Sequence, residues 1–147
     1  MNHTASMKQL ESLDAYRTAQ DLAARAYSLT QNGVLCKHFA LIDQIRRACI
    51  SVPANIAEGY ALGTTLQFIR CLRISLGSSA ELRSHLELTK RLALADAEDL
   101  NATIALTMRV IAILVGLLKK LDRNPRSRVP FLVSRVPFRP PNRESAS

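Results

Sequence analysis

The side chains of this chain that could do chemistry are few and scattered. Glu58 and Glu81 could form a carboxylate pair for general acid–base work, but no histidine or nucleophile accompanies them in a working arrangement. Glu81 and His85 are four residues apart and unrepeated, whereas di-iron bundles use Glu-x-x-His on two helices. Cys36 and His38 stand two apart, which is not the spacing of a closed metal site. Leu76-Gly77-Ser78-Ser79-Ala80 lacks the second glycine of a nucleophile elbow, and no glycine-rich phosphate loop occurs. The expectation is a protein without catalytic, cofactor or metal residues.

The pattern richest in information runs from Gln44 to Gly59. Its polar members Gln44, Arg47, Ser51, Asn55 and Glu58 step by three or four, so a helix lines them along one stripe. Such a stripe is a solvated face, a buried hydrogen-bond network or a binding surface. Pro53 lies within it and removes one helix hydrogen bond, which frees the Cys49 carbonyl and predicts a bend. Ser51 and Asn55 are placed to serve the exposed backbone groups. Further on, Gly77, Ser78, Ser79 and Ala80 are small enough to admit a neighbouring backbone, and Gly77 inside a helix costs about 1 kcal/mol against alanine. Close packing there would set Glu81 against Arg46 or Arg47. We therefore expect Arg47 to join Glu58 or Glu81 in a satisfied polar network around the Pro53 kink.

Charge supplies a second kind of chemistry. The formal net charge is +8, and half of it lies at the C-terminus. Residues 1–121 hold 14 Lys/Arg against 10 Asp/Glu, whereas residues 122–147 hold six arginines against two acids. Arg123, Arg126, Arg128, Arg135, Arg139 and Arg143 are spaced so that an extended chain could follow a phosphate backbone. Arg46, Arg70 and Arg73 are the candidates for nucleic-acid contact within the helical part. A basic tail also serves solubility alone.

Four helices must position these residues. Apolar residues make up 48% of the chain and aromatics 5%, with no Trp, a mix dominated by Leu, Ala and Ile that favours helices over sheets. The first helix runs from about Leu13 to Leu29 and ends at Asn32-Gly33. The second runs from about Phe39 to Leu62, stopped by Gly63, and the third from a Thr64 or Thr65 cap to about Leu94. The fourth begins at an Asp96 cap followed by Glu98 and Asp99, and ends at Lys119-Lys120, as a helix dipole prefers. Short connections make neighbours antiparallel, so the fold class is an all-α up-down-up-down bundle over residues 13–121. Residues 1–12 are expected to be flexible.

Between Leu100 and Leu118 the fourth helix carries only Arg109 as a charge. A helix apolar nearly all round needs cover on two sides, which predicts a second subunit. Residues 122–147 contain five prolines and no helical period, and Ser127-Arg-Val-Pro-Phe131 recurs as Ser134-Arg-Val-Pro-Phe138. Disorder is expected, with the two phenylalanines as anchors for a partner or as a functionless duplication. Three cysteines make an odd count without close pairs, the first nine residues form no secretory signal, and Val110 to Leu118 is too short to span a bilayer. A cytoplasmic protein with no membrane role is the expectation.

At Gln44, Arg47, Ser51, Pro53, Asn55, Ile56, Glu58 and Gly59 the chain resembles the four-helix-bundle proteins encoded in intervening sequences of 23S ribosomal RNA genes. A second block agrees at Phe68, Leu72, Gly77, Ser78, Glu81 and Leu82, and the resemblance spans about Leu13 to Leu121. It implies an antiparallel bundle, commonly a ring-like pentamer, without established enzymatic activity. A related branch comprises accessory variability proteins of diversity-generating retroelements, basic pentamers that bind a reverse transcriptase and nucleic acid. The +8 charge is closer to that branch, and the motifs are closer to the first. Tyr16 stands where the family often has Trp, and Tyr60-Ala61-Leu62 follows Glu58-Gly59 where a basic residue is common.

These observations point to an oligomeric nucleic-acid-binding accessory protein, with a reverse transcriptase as one partner. A protein-interaction scaffold without a nucleic-acid role is the alternative. An enzyme using Glu58 and Glu81 is the remote third.

Overall fold

The computed structural model describes residues 13–123. Four helices follow in order: α1 (Asp14–Leu29), α2 (Phe39–Ala61), α3 (Thr65–Arg91) and α4 (Ala97–Asp122). One 3-10 turn, Leu35–Lys37, leads into α2. Each helix packs on its neighbours in sequence, and α1 closes the ring against α4. The bundle is the expected one, with α4 running one residue beyond Leu121 and capped by Arg123. Residues 1–12 and 124–147 lie outside the described residues, and with them the expected flexible N-terminus, the disordered tail, and Arg126, Arg128, Arg135, Arg139 and Arg143.

Local chemistry explains the boundaries. Thr64 Oγ1 accepts the Gln67 N–H at 3.3 Å, and Asp96 Oδ2 accepts the N–H groups of Glu98 and Asp99, each at 3.1 Å. These bonds satisfy donors that every helix N-terminus leaves unpaired. Gly63 adopts φ +77°, a conformation open to glycine at little cost, just past the end of α2. The first helix ends at Leu29, as expected. Its last turn closes at Thr30, whose hydroxyl donates to the Tyr27 carbonyl at 2.6 Å, three residues before Gly33. Gly33 follows in the left-handed conformation, φ +69°, that the Asn-Gly pair predicts beyond the helix end.

The core is aliphatic. Leu22, Ile45, Val52, Ile56, Leu72, Leu82, Leu86 and Leu114 are fully buried. Threonines and serines share that interior by returning their hydroxyls to the helix backbone, as Thr107 Oγ1 does to the Thr103 carbonyl at 2.8 Å. Along α4 the buried residues Val110, Leu114 and Leu118 form a single line in the C-terminal half. Met108 is 48% exposed, and Ile111, Ile113, Val115 and Leu117 are only half-buried. By length and composition alone α4 could cross a membrane, although the Val110 to Leu118 run could not, because a wider window around Arg109 is still apolar. Within that window 33% of the residues are buried inside the bundle.

Candidate functional site

The Gln44–Gly59 stretch lies on α2 where that helix meets α3, and the seam is built from small polar side chains. Ser51 and Ser78 hydroxyls meet at 2.9 Å across it. Asn55 Nδ2 donates to both the carbonyl (2.8 Å) and the hydroxyl (2.9 Å) of Ser51. From the opposite helix, fully buried Ser75 donates its hydroxyl to the Val52 carbonyl at 2.8 Å. Pro53 sits buried among these groups, and α2 runs uninterrupted through it. Side chains do gather at the proline as expected, but they serve the carbonyls of residues 51 and 52 rather than that of Cys49. Every buried side-chain N or O among the described residues has a partner.

The other polar members of the stripe face solvent. Gln44, Arg47 and Glu58 are exposed, as is Glu81 on α3. Among the described residues the one acidic partner of Arg47 is Asp43, at 4.0 Å, and Glu81 approaches His85, at 3.3 Å. The expected Arg47–Glu58 or Arg47–Glu81 network around Pro53 does not form. The reason is angular. At 3.6 residues per turn, Asn55 and Ser51 lie about 40° and 80° round α2 from the closely packed Gly59, whereas Glu58 and Arg47 lie about 100° and 120° away. A stripe this wide straddles the edge of the helix contact, so α3 covers only part of it.

Gly77 also departs from expectation. A Cβ built there would meet nothing within 4 Å, so no neighbouring backbone packs against this glycine. Buried Ser75 and Ser79, two residues to either side, turn Gly77 outward. Gly59 is the close-packed glycine instead: a Cβ would come within 2.6 Å of Cys71 Cβ and 3.3 Å of Phe68 Cα. Phe68 in turn packs edge-on against Tyr60, with ring centroids 6.0 Å apart.

The three arginines of the helical part proposed for nucleic acid, Arg46, Arg70 and Arg73, separate as well. Arg70 and Arg73 project from α3, exposed and without an acidic partner among the described residues. Arg123 is likewise exposed at the end of α4. Arg46 is committed to the bundle. Its guanidinium lies 4.5 Å from the centroid of the Tyr27 ring, and its Nε donates to Thr30 Oγ1 at 2.8 Å. Thr30 and Tyr27 carry this contact, and neither was singled out as a partner from sequence. A tyrosine at the edge of an apolar stripe, ending a helix, was the available signal.

Cys49 and Cys71 are buried packing residues. Burial pushes the Cys49 thiol up to about 11, and burial together with the nearby Glu58 carboxylate raises that of Cys71. Both thiols remain protonated at neutral pH and are therefore weak nucleophiles.

Fold and seam together define an antiparallel four-helix bundle in which Ser51, Asn55, Gly59, Ser75 and Ser78 join α2 to α3. The solved crystal structure of a protein of unknown function from the S23 ribosomal protein family of Bacteroides thetaiotaomicron VPI-5482 is similar, with a TM-score of 0.66 and 25% sequence identity. The match covers 71% of this chain and 98% of that one. Comparison with curated proteins finds no match. Residues 11–116 match the 23S rRNA-intervening sequence proteins, and the chain belongs to that family.

Proposed function

We propose that the chain is a self-assembling cytoplasmic accessory protein without an enzyme active site, and that it binds nucleic acid through exposed cations. The supporting observation is the charge: +8 overall, six arginines within residues 122–147, and Arg70, Arg73 and Arg123 exposed on the bundle. Phosphate contacts of this kind give salt-sensitive binding with little sequence preference. A reverse transcriptase is one partner compatible with this reading, through the resemblance to the retroelement accessory proteins.

Binding of the full chain to mixed-sequence single-stranded RNA and DNA across a salt series tests the reading. Replacing Arg126, Arg128, Arg135, Arg139 and Arg143 by Gln should flatten the log–log salt dependence by at most about 3.5, at roughly 0.7 per contact. Equal slopes would place binding on the bundle, and no binding at low salt would eliminate the nucleic-acid role.

Assembly rests on α4, where apolar surface is left on both sides of the buried Val110–Leu114–Leu118 line, with Met108, Ile111 and Val115 on one side and Ile113 and Leu117 on the other. Five subunits is the expected state. Light scattering that gives a monomer at micromolar concentration would remove it. One observation favours the scaffold as a second reading. Gln44, Arg47 and Glu58 of the motif face solvent, where they could contact a protein.

A further inference from the structure

At the end of the bundle opposite the C-terminus, the α1 end and the α3–α4 connection enclose an open cleft of about 470 Å³. Leu29, Val34 and Leu94 are its apolar wall, and Val34 is 57% exposed. Asp96 and Asp99 form an acidic rim with Glu98 beside them in the first turn of α4. Among the described residues the only cation on that rim is Arg25, which meets Asp99 at a loose 3.9 Å with both side chains largely in solvent. The cleft therefore suits a ligand that is apolar at its centre and cationic at its flanks.

One segment of this chain has that chemistry. Ser134-Arg135-Val136-Pro137-Phe138-Arg139 places a phenylalanine between two arginines, and Ser127-Arg128-Val129-Pro130-Phe131 is its near copy without the following arginine. Reach separates the two. From Arg123 back to Asp99 is 24 helical positions, about 36 Å at 1.5 Å per residue. Phe131 lies eight residues past Arg123 and extends at most about 26–29 Å, whereas Phe138 lies fifteen past and extends up to about 50 Å. We propose that Phe138 seats in this cleft of its own chain, with Arg135 and Arg139 paired to Asp96 and Asp99. The proposal stands apart from the nucleic-acid reading, although both make use of Arg135 and Arg139.

The chain has no Trp, so Phe138→Trp and Phe131→Trp each create a single fluorescent reporter in the full-length protein. The Phe138→Trp reporter should emit at shorter wavelength and resist acrylamide quenching better than the Phe131→Trp reporter. Adding Val34→Lys, at an exposed position, should abolish that difference by removing apolar wall and repelling the arginines. Its thermal melt checks that the bundle is intact. Two equally exposed or equally shielded reporters overturn the proposal. So does shielding at Phe138→Trp that survives Val34→Lys in a folded protein.

Discussion

Gly59→Ala should destabilise the bundle, while Gly77→Ala should stabilise it. Both are glycines inside helices, and both would gain helix propensity of about 1 kcal/mol from alanine. At Gly59 the new methyl meets Cys71 Cβ at 2.6 Å and the Phe68 backbone at 3.3 Å, neither of which is the free end of a flexible side chain. The α2–α3 seam would have to open, which strains the Ser75 bond to the Val52 carbonyl. Overpacking of this kind costs typically about 1–3 kcal/mol and here should exceed the propensity gain. At Gly77 nothing lies within 4 Å, so only the gain remains, roughly 0.5–1 kcal/mol. Urea melts of the two full-length variants measure the opposite signs directly. Stabilisation by both would mean that α2 and α3 do not approach as described.

Adjacent arginines should part in the same way. Arg46→Ala removes a guanidinium stacked on Tyr27 and a 2.8 Å bond to the hydroxyl of fully buried Thr30. A cation–π contact contributes about 0.5–2 kcal/mol and a charge-assisted hydrogen bond about 1.5–3 kcal/mol, so a loss of about 2 kcal/mol is expected after some relaxation. Arg46→Lys should recover only part of it, because an ammonium lacks the planar group that stacks while donating. Arg47→Ala should change stability by no more than about 0.5 kcal/mol, since its 4.0 Å partner Asp43 and Arg47 itself are 64% and 74% exposed. Thermal or urea unfolding of all three variants decides the matter. Equal losses at the two positions would restore Arg47 to a structural network.

These two comparisons also mark how far the site could be read in advance. The spacing of Ser51, Pro53 and Asn55 located the seam, and Ser78 fell within the small-residue run expected to face it. Ser75 was not singled out, because a serine donating to a carbonyl of another helix has no signature in its own neighbourhood. The same gap assigned close packing to Gly77 and not to Gly59. Both glycines sit in helices, and only the identity of what lies opposite distinguishes them.

What the amino-acid sequence determined by itself was everything governed by interactions within a few residues. Thr64 and Asp96 cap α3 and α4, Gly63 ends α2, and the 3.6-residue apolar period orients four amphipathic helices whose short links make them antiparallel. These follow from backbone donors and from side-chain direction along one helix. Tertiary structure alone decided the environment of each polar residue on those helices. Arg46 and Arg47 differ by one position, yet one rotates onto Tyr27 of α1 and the other into water. A rotation of about 100° per residue moves a side chain from contact to solvent, and where contact lies depends on the axis and distance of a helix far away in sequence.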